Sequence, residues 1–183
     1  MDEEKDLEAV HKCLQGEVEA FGAIIARYQK QVLNLAYRIV RNREDARDVG
    51  QSVFVKAFVG LSSFDSRYKF FSWLYRIAIN ESLNFAGKRD RRLGSAPAWT
   101  AEPDDPERQL ISREFRGTVE KAMARLNPRQ RALLALSLDG LSYKEMGRLL
   151  DLPERKVKSK LFAARTKLRE FLARKEHTAH ANP

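Results

Sequence analysis

The sequence predicts an all-α protein of two small helical domains joined by a flexible linker, with a helix-turn-helix in the second domain. Three observations support this prediction. Apolar residues recur at three- and four-residue spacing through most of the chain. No segment alternates at the two-residue period of a strand. Residues 89–106 interrupt the pattern with prolines, a glycine and mixed charges. We therefore expect domains at 1–88 and 107–183, a linker at 89–106 and a polar C-terminal tail.

The first domain is predicted from one long apolar stripe and one capping residue. The stripe lies in residues 17–41 and consists of Phe21, Ile24, Ile25, Tyr28, Val32, Leu35 and Ile39. Asn42 is a suitable N-cap for the next helix, with Asp45 three positions later. Another helix is expected at about 72–88, and a shorter one at 5–14. Gly50 inside the capped helix costs about 1 kcal/mol relative to Ala, so close approach of a partner to this helix would explain it.

Four helices are predicted in the second domain, at about 107–125, 128–139, 142–150 and 154–175. Ser142 and Glu145 have the spacing of a capping box, and Leu141 and Met146 occupy the positions of a hydrophobic staple. Gly140 suits the left-handed end of the preceding helix. A tight turn at 151–153 then separates two helices, which is the arrangement of a helix-turn-helix.

The excess of positive over negative charge is confined to the C-terminal third of the chain. The net charge is +9, and residues 113–183 alone hold 17 Lys or Arg against eight Asp or Glu. Such asymmetry favours a partner that is a polyanion over a merely soluble basic domain. In the last helix, Val157, Leu161, Ala164 and Leu168 form one apolar stripe. The residues off this stripe could enter a major groove or form a solvated face of a bundle, and the charge favours DNA: Arg155, Lys156, Lys158, Ser159, Phe162 and Arg165.

An aromatic segment is the second candidate for DNA binding. Residues 64–75 contain six aromatic side chains, with Arg67, Lys69 and Arg76 among or beside them. Aromatic faces beside cations can stack the bases of a single strand. The same aromatic side chains, Trp73 above all, could instead fill a small helical core. The residues alone leave both interpretations open.

Several classes of protein are disfavoured by the composition. The single cysteine, Cys13, excludes an internal disulfide and a multi-cysteine zinc site. Glu8 and His11 match one Glu-x-x-His pair of a carboxylate-bridged metal protein, but no second pair accompanies them. Nucleophile triads, phosphate-binding loops and dinucleotide fingerprints are absent from the sequence. We therefore expect no catalysis, no cofactor, no metal and no membrane insertion, and a cytoplasmic location.

Three stretches together resemble the extracytoplasmic-function sigma factors of bacterial RNA polymerase: residues 37–58, 71–81 and 141–168. The resemblance implies a factor that binds core RNA polymerase and directs promoter-specific initiation of transcription. It further implies an association with the nucleoid when active, and an anti-sigma factor as an inhibitory partner. A helix-turn-helix repressor or activator that binds DNA unaided as a dimer is the alternative, although it leaves the first domain unexplained.

The resemblance also implies roles for individual residues. The core-polymerase contacts would be Asp48, Gln51, Phe54 and Lys56. The contacts to the melted −10 element would be Phe64, Arg67, Tyr68, Lys69, Phe70, Arg76, Asn80, Asn84 and Lys88. The −35 duplex would be read by Lys158, Ser159 and Phe162, with Arg155, Lys156 and Arg165 near phosphates. The chain departs from the family pattern at Gly50 and Ser52, at Asp151, at Arg155 and Lys156, and at Ala163.

Overall fold

The computed structural model describes residues 3–93 and 109–179, and every regular element in these two ranges is helical. The predicted all-α class is confirmed. The α-helices are α1 (Glu3–Leu14), α2 (Phe21–Val40), α3 (Arg43–Val59), α4 (Phe70–Leu93), α5 (Gln109–Ala124), α6 (Pro128–Leu138), α7 (Tyr143–Leu150) and α8 (Glu154–Ala179), with short 3₁₀ turns at Val18–Ala20 and Leu61–Ser63. None of the helices in the described ranges combines the length and apolar character that a bilayer crossing requires. Most of the predicted linker, with Trp99, and the end of the tail lie outside the described residues.

The chain divides into two compact units, residues 1–94 and 95–183. In the N-terminal unit, α2, α3 and α4 pack on one another around the predicted stripe of α2. Five members of that stripe are fully buried: Ile24, Tyr28, Val32, Leu35 and Ile39. Ile25 is 36% exposed, because it lies about 100° around the helix from Ile24. The prediction that Ile25 belongs to the core was therefore wrong.

Helix α3 begins at the predicted cap and packs closely on α2. The Asp45 N–H donates to Asn42 Oδ1 at 2.9 Å, which satisfies one of the free donors at the helix start. Gly50 is buried against Leu33 of α2: a Cβ at position 50 would lie 2.8 Å from Leu33 Cδ2. The glycine therefore permits a close approach within the unit, whereas the sequence had suggested an approach by a partner.

Helix α4 extends five residues beyond the predicted end of the first domain at 88, to Leu93. Arg89, which we had placed at the start of the linker, lies within this helix. Its Nη1 donates to Asp45 Oδ2 at 2.5 Å and to the Val40 carbonyl at 3.4 Å. These two contacts join α4 to the start of α3 and the end of α2.

The C-terminal unit contains the predicted helix-turn-helix, with α7 and α8 as its two helices. Ser142 and Glu145 form the capping box: the Glu145 N–H donates to Ser142 Oγ at 3.3 Å, and the Ser142 N–H donates to Glu145 Oε2 at 2.8 Å. Gly140 has the predicted left-handed conformation, with φ of 79°. Met146, Val157, Leu161 and Ala164 are buried, and so are the six consecutive residues 131–136 of α6.

The turn between α7 and α8 leaves no room for a side chain at Gly147. The Leu152 N–H donates to the Gly147 carbonyl at 2.9 Å, and Asp151 takes the left-handed conformation with φ of 53°. A Cβ at position 147 would lie 2.6 Å from the Leu152 carbonyl oxygen. This oxygen belongs to the backbone of the turn, so it cannot move aside without displacing the turn.

We expect Gly147→Ala to lower the free energy of unfolding of the C-terminal unit by about 1–3 kcal/mol, as overpacking does elsewhere. Thermal unfolding of the full chain, followed by circular dichroism, measures this change. Gly117→Ala in α5 is the matched control, because a Cβ at position 117 meets no atom within 4 Å. The control should leave the unit unchanged or stabilise it by up to about 1 kcal/mol, since Ala favours helix over Gly. Equal melting temperatures for both variants would contradict the steric argument.

Candidate DNA and polymerase interfaces

One exposed stripe of α3 carries two of the four predicted polymerase contacts. Asp48 and Gln51 are exposed on this stripe. Val55 and Val59 continue it toward the C-terminal end of the helix and are 62% and 76% exposed. The two valines were not among the predicted contacts, although exposed valines one turn apart beside polar residues are typical of a binding surface. Phe54 is half-buried beside the stripe.

Lys56, the fourth predicted polymerase contact, is bound within its own unit. Its Nζ lies 2.6 Å from Glu81 Oε1 on α4. The other carboxylate oxygen, Glu81 Oε2, accepts a hydrogen bond from Ser52 Oγ at 3.0 Å. The Glu81 side chain is only 16% exposed, whereas that of Lys56 is 55% exposed. Glu81 therefore joins α3 to α4 and holds the Lys56 ammonium group.

The aromatic segment forms a cluster that continues the core of the N-terminal unit. The Phe64 ring lies edge-on to Phe70, with centroids 5.3 Å apart, and 5.5 Å from the Trp73 ring. Phe71 and Tyr75 pack at 4.0 Å between ring centroids. Five of the six aromatic side chains therefore belong to this packed cluster, in which Phe70 and Tyr75 are buried and the other three are half-buried.

The sixth aromatic side chain, Tyr68, lies on the surface of the loop before α4. It is 64% exposed, and its neighbours Arg67 and Lys69 are exposed as well. Phe70 differs from the prediction, because only 1% of it is accessible. The buried Phe70 ring therefore packs beneath the surface of the loop and is not accessible for stacking on a base. Phe64 is half-buried at the edge of the cluster.

Four predicted DNA contacts form a single stripe along α4. Arg76, Asn80, Asn84 and Lys88 follow one another at four-residue intervals, and all four are exposed. At 1.5 Å per residue the stripe is about 18 Å long. It combines two cationic side chains with two amides, which can donate to phosphates and bases and accept from base amino groups.

Helix α8 has a buried side and a cationic exposed side. Val157, Leu161 and Ala164 are fully buried, as predicted, and Leu168 is half-buried. The opposite side bears Arg155, Ser159 and Phe162, and Lys158 lies beside them toward one flank; all four are exposed, and Phe162 is 68% exposed. Lys156 is exposed on one flank of this face. Arg165 is exposed on the other, where its Nη2 donates to Ser137 Oγ of α6 at 2.7 Å.

The possible Glu8–His11 metal pair is not assembled as a ligand set. Glu8 Oε1 lies 2.7 Å from Lys12 Nζ, and the hydrogen bond from Lys12 lowers the pKa of the Glu8 carboxyl. Across residues 3–93 and 109–179, no three His, Cys, Asp or Glu side chains come together as metal ligands could.

Two family models match the chain, one in each unit. The model of Sigma-70 region 2 matches residues 24–92, which include all of α3 and nearly all of α2 and α4. The model of Sigma-70 region 4 matches residues 116–168, which include α6, α7 and the first part of α8.

Curated relatives match over most of their length. The RNA polymerase sigma-H factor of Pseudomonas aeruginosa is 32% identical over 177 residues, which cover 89% of this chain and 91% of the relative. The ECF RNA polymerase sigma-E factor of Escherichia coli is 34% identical over 169 residues, which cover 85% and 88% of the two chains. The chain belongs to the extracytoplasmic-function sigma factors. This sigma factor therefore directs promoter-specific initiation of transcription by RNA polymerase.

Solved structures have the same fold as this sigma factor. The structure of CnrH in complex with the cytosolic domain of CnrY matches with a TM-score of 0.69 and 24% identity, and covers 94% of this chain and 97% of the other. The structure of the sigma factor RpoE with the anti-sigma factor NepR from Bartonella quintana matches with a TM-score of 0.67 and 21% identity, over 85% and 98% of the two chains.

Three further residues of the sigma factor contact predicted site residues and were missed by the sequence reasoning. Glu81 binds Lys56 across 25 residues, and Ser137 binds Arg165 across 28. No local pattern indicates pairs so far apart. Asp65 binds Arg67, two positions later. That pair had a readable signal, since an Asp followed by polar residues in a loop is typical of an Asx turn.

Proposed function

We propose that this sigma factor divides promoter recognition between its two units and catalyses no bond chemistry itself. Residues 1–88, extended to the end of α4, bind core polymerase and the melted −10 element. Residues 107–183 read the −35 duplex, and residues 89–106 link the two. The observation that carries this proposal is the exposed cationic surface of α8, on the side and flanks away from its buried stripe.

The −35 contact follows from the helix-turn-helix geometry. The N-terminal half of a recognition helix enters the major groove, where Lys and Arg donate to guanine O6 and N7 or to phosphates. Lys158, Ser159 and Phe162 lie within this half of α8. Arg155, Lys156 and Arg165 are exposed around them, and we assign them to the flanking phosphates.

The −10 contact combines the surface loop with the stripe of α4. Tyr68 offers an exposed ring to a base that leaves the duplex, and stacking is worth about 1–3 kcal/mol per base. Unpairing a base costs a few kcal/mol, so stacking on Tyr68 offsets much of that cost. Phe64 borders this position, and Arg67 and Lys69 provide cations for the strand. The stripe from Arg76 to Lys88 then follows the strand away from the loop.

The polymerase contact is assigned to the α3 stripe, where Gln51 and Asp48 are accompanied by Val55 and Val59. Phe54 borders the stripe, and Lys56, held by Glu81, lies on its other side. An apolar pair flanked by polar groups is the usual composition of a protein interface. The function is carried out where the polymerase is, so we place the protein in the cytoplasm and, when active, on the nucleoid.

Gln51→Ala is expected to weaken binding to core polymerase by about five- to thirtyfold, the range of a substantial interface residue. Biolayer interferometry with immobilised core polymerase measures the affinity. Gln29→Ala is the matched control, because Gln29 is an exposed glutamine of α2, a helix to which no polymerase contact is assigned. Its affinity should equal that of the unchanged protein. Equal binding by the Gln51 and Gln29 variants would remove α3 from the polymerase interface.

The helix-turn-helix alternative differs in what it requires of the polymerase. A dimeric repressor binds its operator unaided, whereas the proposed function needs core polymerase for tight promoter binding. Gel shifts of promoter fragments with and without core polymerase separate the two. Tight specific binding by the protein alone would favour the repressor.

An anti-sigma factor is the remaining proposed partner. The sigma factor RpoE of the same fold was solved in a complex with the anti-sigma factor NepR, and CnrH, also of this fold, was solved in a complex with the cytosolic domain of CnrY. We propose that a protein of this kind holds the present sigma factor inactive. Affinity purification of the tagged chain from its native host before and after stress tests this. Recovery of core polymerase alone under both conditions would contradict the proposal.

A further inference from the structure

Asp65 builds the turn that carries the exposed part of the loop before α4. The Tyr68 N–H donates to the Asp65 carbonyl at 3.0 Å, which closes a β-turn over Ser66 and Arg67. The Arg67 N–H donates to Asp65 Oδ1, also at 3.0 Å. The second bond is an Asx turn, in which the side chain of Asp65 imitates a backbone acceptor.

The turn is anchored on the aromatic cluster at its start. Phe64 precedes Asp65 directly, and its ring packs on Phe70 and Trp73. Because Phe64 is fixed, the two bonds to Asp65 determine where Tyr68 and Lys69 lie. Tyr68 is consequently 64% exposed although it is preceded and followed by residues of a packed cluster.

The same carboxylate also holds the Arg67 guanidinium. Arg67 Nε lies 3.0 Å from both carboxylate oxygens of Asp65, and Arg67 Nη2 lies 2.6 Å from Oδ2. The hydrogen bond from Arg67 lowers the pKa of the Asp65 carboxyl. The Arg67 side chain is 83% exposed, so water competes for the pair and it opens at little cost.

We propose that Asp65 is a positioning residue of the loop before α4 (residues 64–69), which we call the −10 loop. It has two separable effects on the binding of single-stranded DNA. Its carboxylate pairs with the Arg67 guanidinium in the free protein, and this pair must open before Arg67 can bind a DNA phosphate. The pair therefore lowers the affinity for single strands of any sequence. Its side-chain acceptor shapes the turn that presents Tyr68 to a base. The inference rests on the proposed −10 function of this loop and adds the residue that controls its charge and shape.

Two variants separate the effects. Asp65→Asn keeps an oxygen acceptor for the Arg67 N–H and removes the negative charge. Asp65→Glu keeps the charge, but its longer side chain does not fit the Asx turn. The probe is a fluorescent single-stranded oligonucleotide, either with the −10 sequence or scrambled. Affinities are measured by anisotropy on the sigma factor bound to core polymerase, at several salt concentrations.

We expect Asp65→Asn to bind both oligonucleotides about two- to fivefold more tightly at low salt, the range of one exposed ion pair. Its affinity should also fall more steeply with salt, by up to about 0.7 in the logarithmic slope, the value for one added phosphate contact. Asp65→Glu should keep the original salt dependence and lose preference for the −10 sequence. Unchanged affinity and slope for Asp65→Asn, or unchanged preference for Asp65→Glu, would overturn the inference.

Tyr68→Ala shows which proposal has failed. If this variant retains full preference for the −10 sequence, the loop does not trap a base and the proposed −10 function itself is wrong. If Tyr68→Ala loses the preference while both Asp65 variants behave like the unchanged protein, only the inference about Asp65 fails.

Discussion

Asp6→Ala is expected to lower the free energy of unfolding of the N-terminal unit by about 3 kcal/mol or more, the cost of breaking a buried charged pair. Asp6 is 2% exposed on α1, and its carboxylate accepts hydrogen bonds from Arg27 Nη1 and from the Tyr28 hydroxyl. Burial, together with the bond to Asp6, raises the pKa of Tyr28. Removal of the carboxylate leaves the fully buried hydroxyl without this acceptor.

Urea denaturation followed by Trp73 fluorescence measures this stability, in a Trp99→Phe background that leaves Trp73 as the one tryptophan. Asp6→Asn should cost less, because an amide oxygen still accepts from Tyr28. Glu8→Ala is the surface control on the same helix: it removes an exposed carboxylate that pairs with exposed Lys12, and the urea midpoint of this variant should hardly move. Similar midpoints for Asp6→Ala and Glu8→Ala would show that α1 is not fastened to the core through Asp6.

Lys158→Ala is expected to weaken −35-dependent transcription and to relax the base preference at one position by about 1–3 kcal/mol. Lys158 is exposed on the cationic side of α8, one helical turn before Phe162. A lysine in a major groove donates hydrogen bonds to guanine O6 and N7, and the alanine variant loses these hydrogen bonds. A phosphate contact, in contrast, would lower binding to all sequences about equally.

The measurement is run-off transcription with core polymerase from promoters that carry each single substitution in the −35 element. Lys160→Ala is the matched control, since it removes the same charge from an exposed position on the other flank of α8. The control should reduce transcription from all promoters about equally, or not at all. An identical profile of promoter preference for the two lysine variants would place Lys158 outside the groove.

Local signals account for the parts of the fold that the sequence predicted well. The caps at Asn42 and Ser142 involve residues three positions apart, so they form wherever those residues occur at the start of a helix. The buried positions of α2 and α8 followed from periodicity alone, because one side of each helix faces a core. Ile25 was misplaced since a residue next to a buried one can lie just outside the stripe.

Contacts between distant residues account for what the sequence did not predict. The charged run after Lys88 was interpreted as linker, whereas α4 continues through it to Leu93. Arg89 in this extension contacts Asp45 and Val40, which are distant in sequence. The packing of the helices also determines two other contacts, the ion pair between Lys56 and Glu81 and the close approach of Leu33 to Gly50. The aromatic segment was ambiguous, because composition does not distinguish a core ring such as Phe70 from a surface ring such as Tyr68.

The central claim is that the N-terminal unit and the C-terminal unit recognise different parts of a promoter. The most direct test is to let the reconstituted holoenzyme transcribe genomic fragments and to sequence the fragments that it selects. The unchanged protein should select two short sequence blocks at a constant separation. Lys158→Ala should weaken the base preference only in the upstream block, and Tyr68→Ala only in the downstream block. Fragments with no shared blocks, or one block altered by both substitutions, would contradict the assignment of separate readers to the two units.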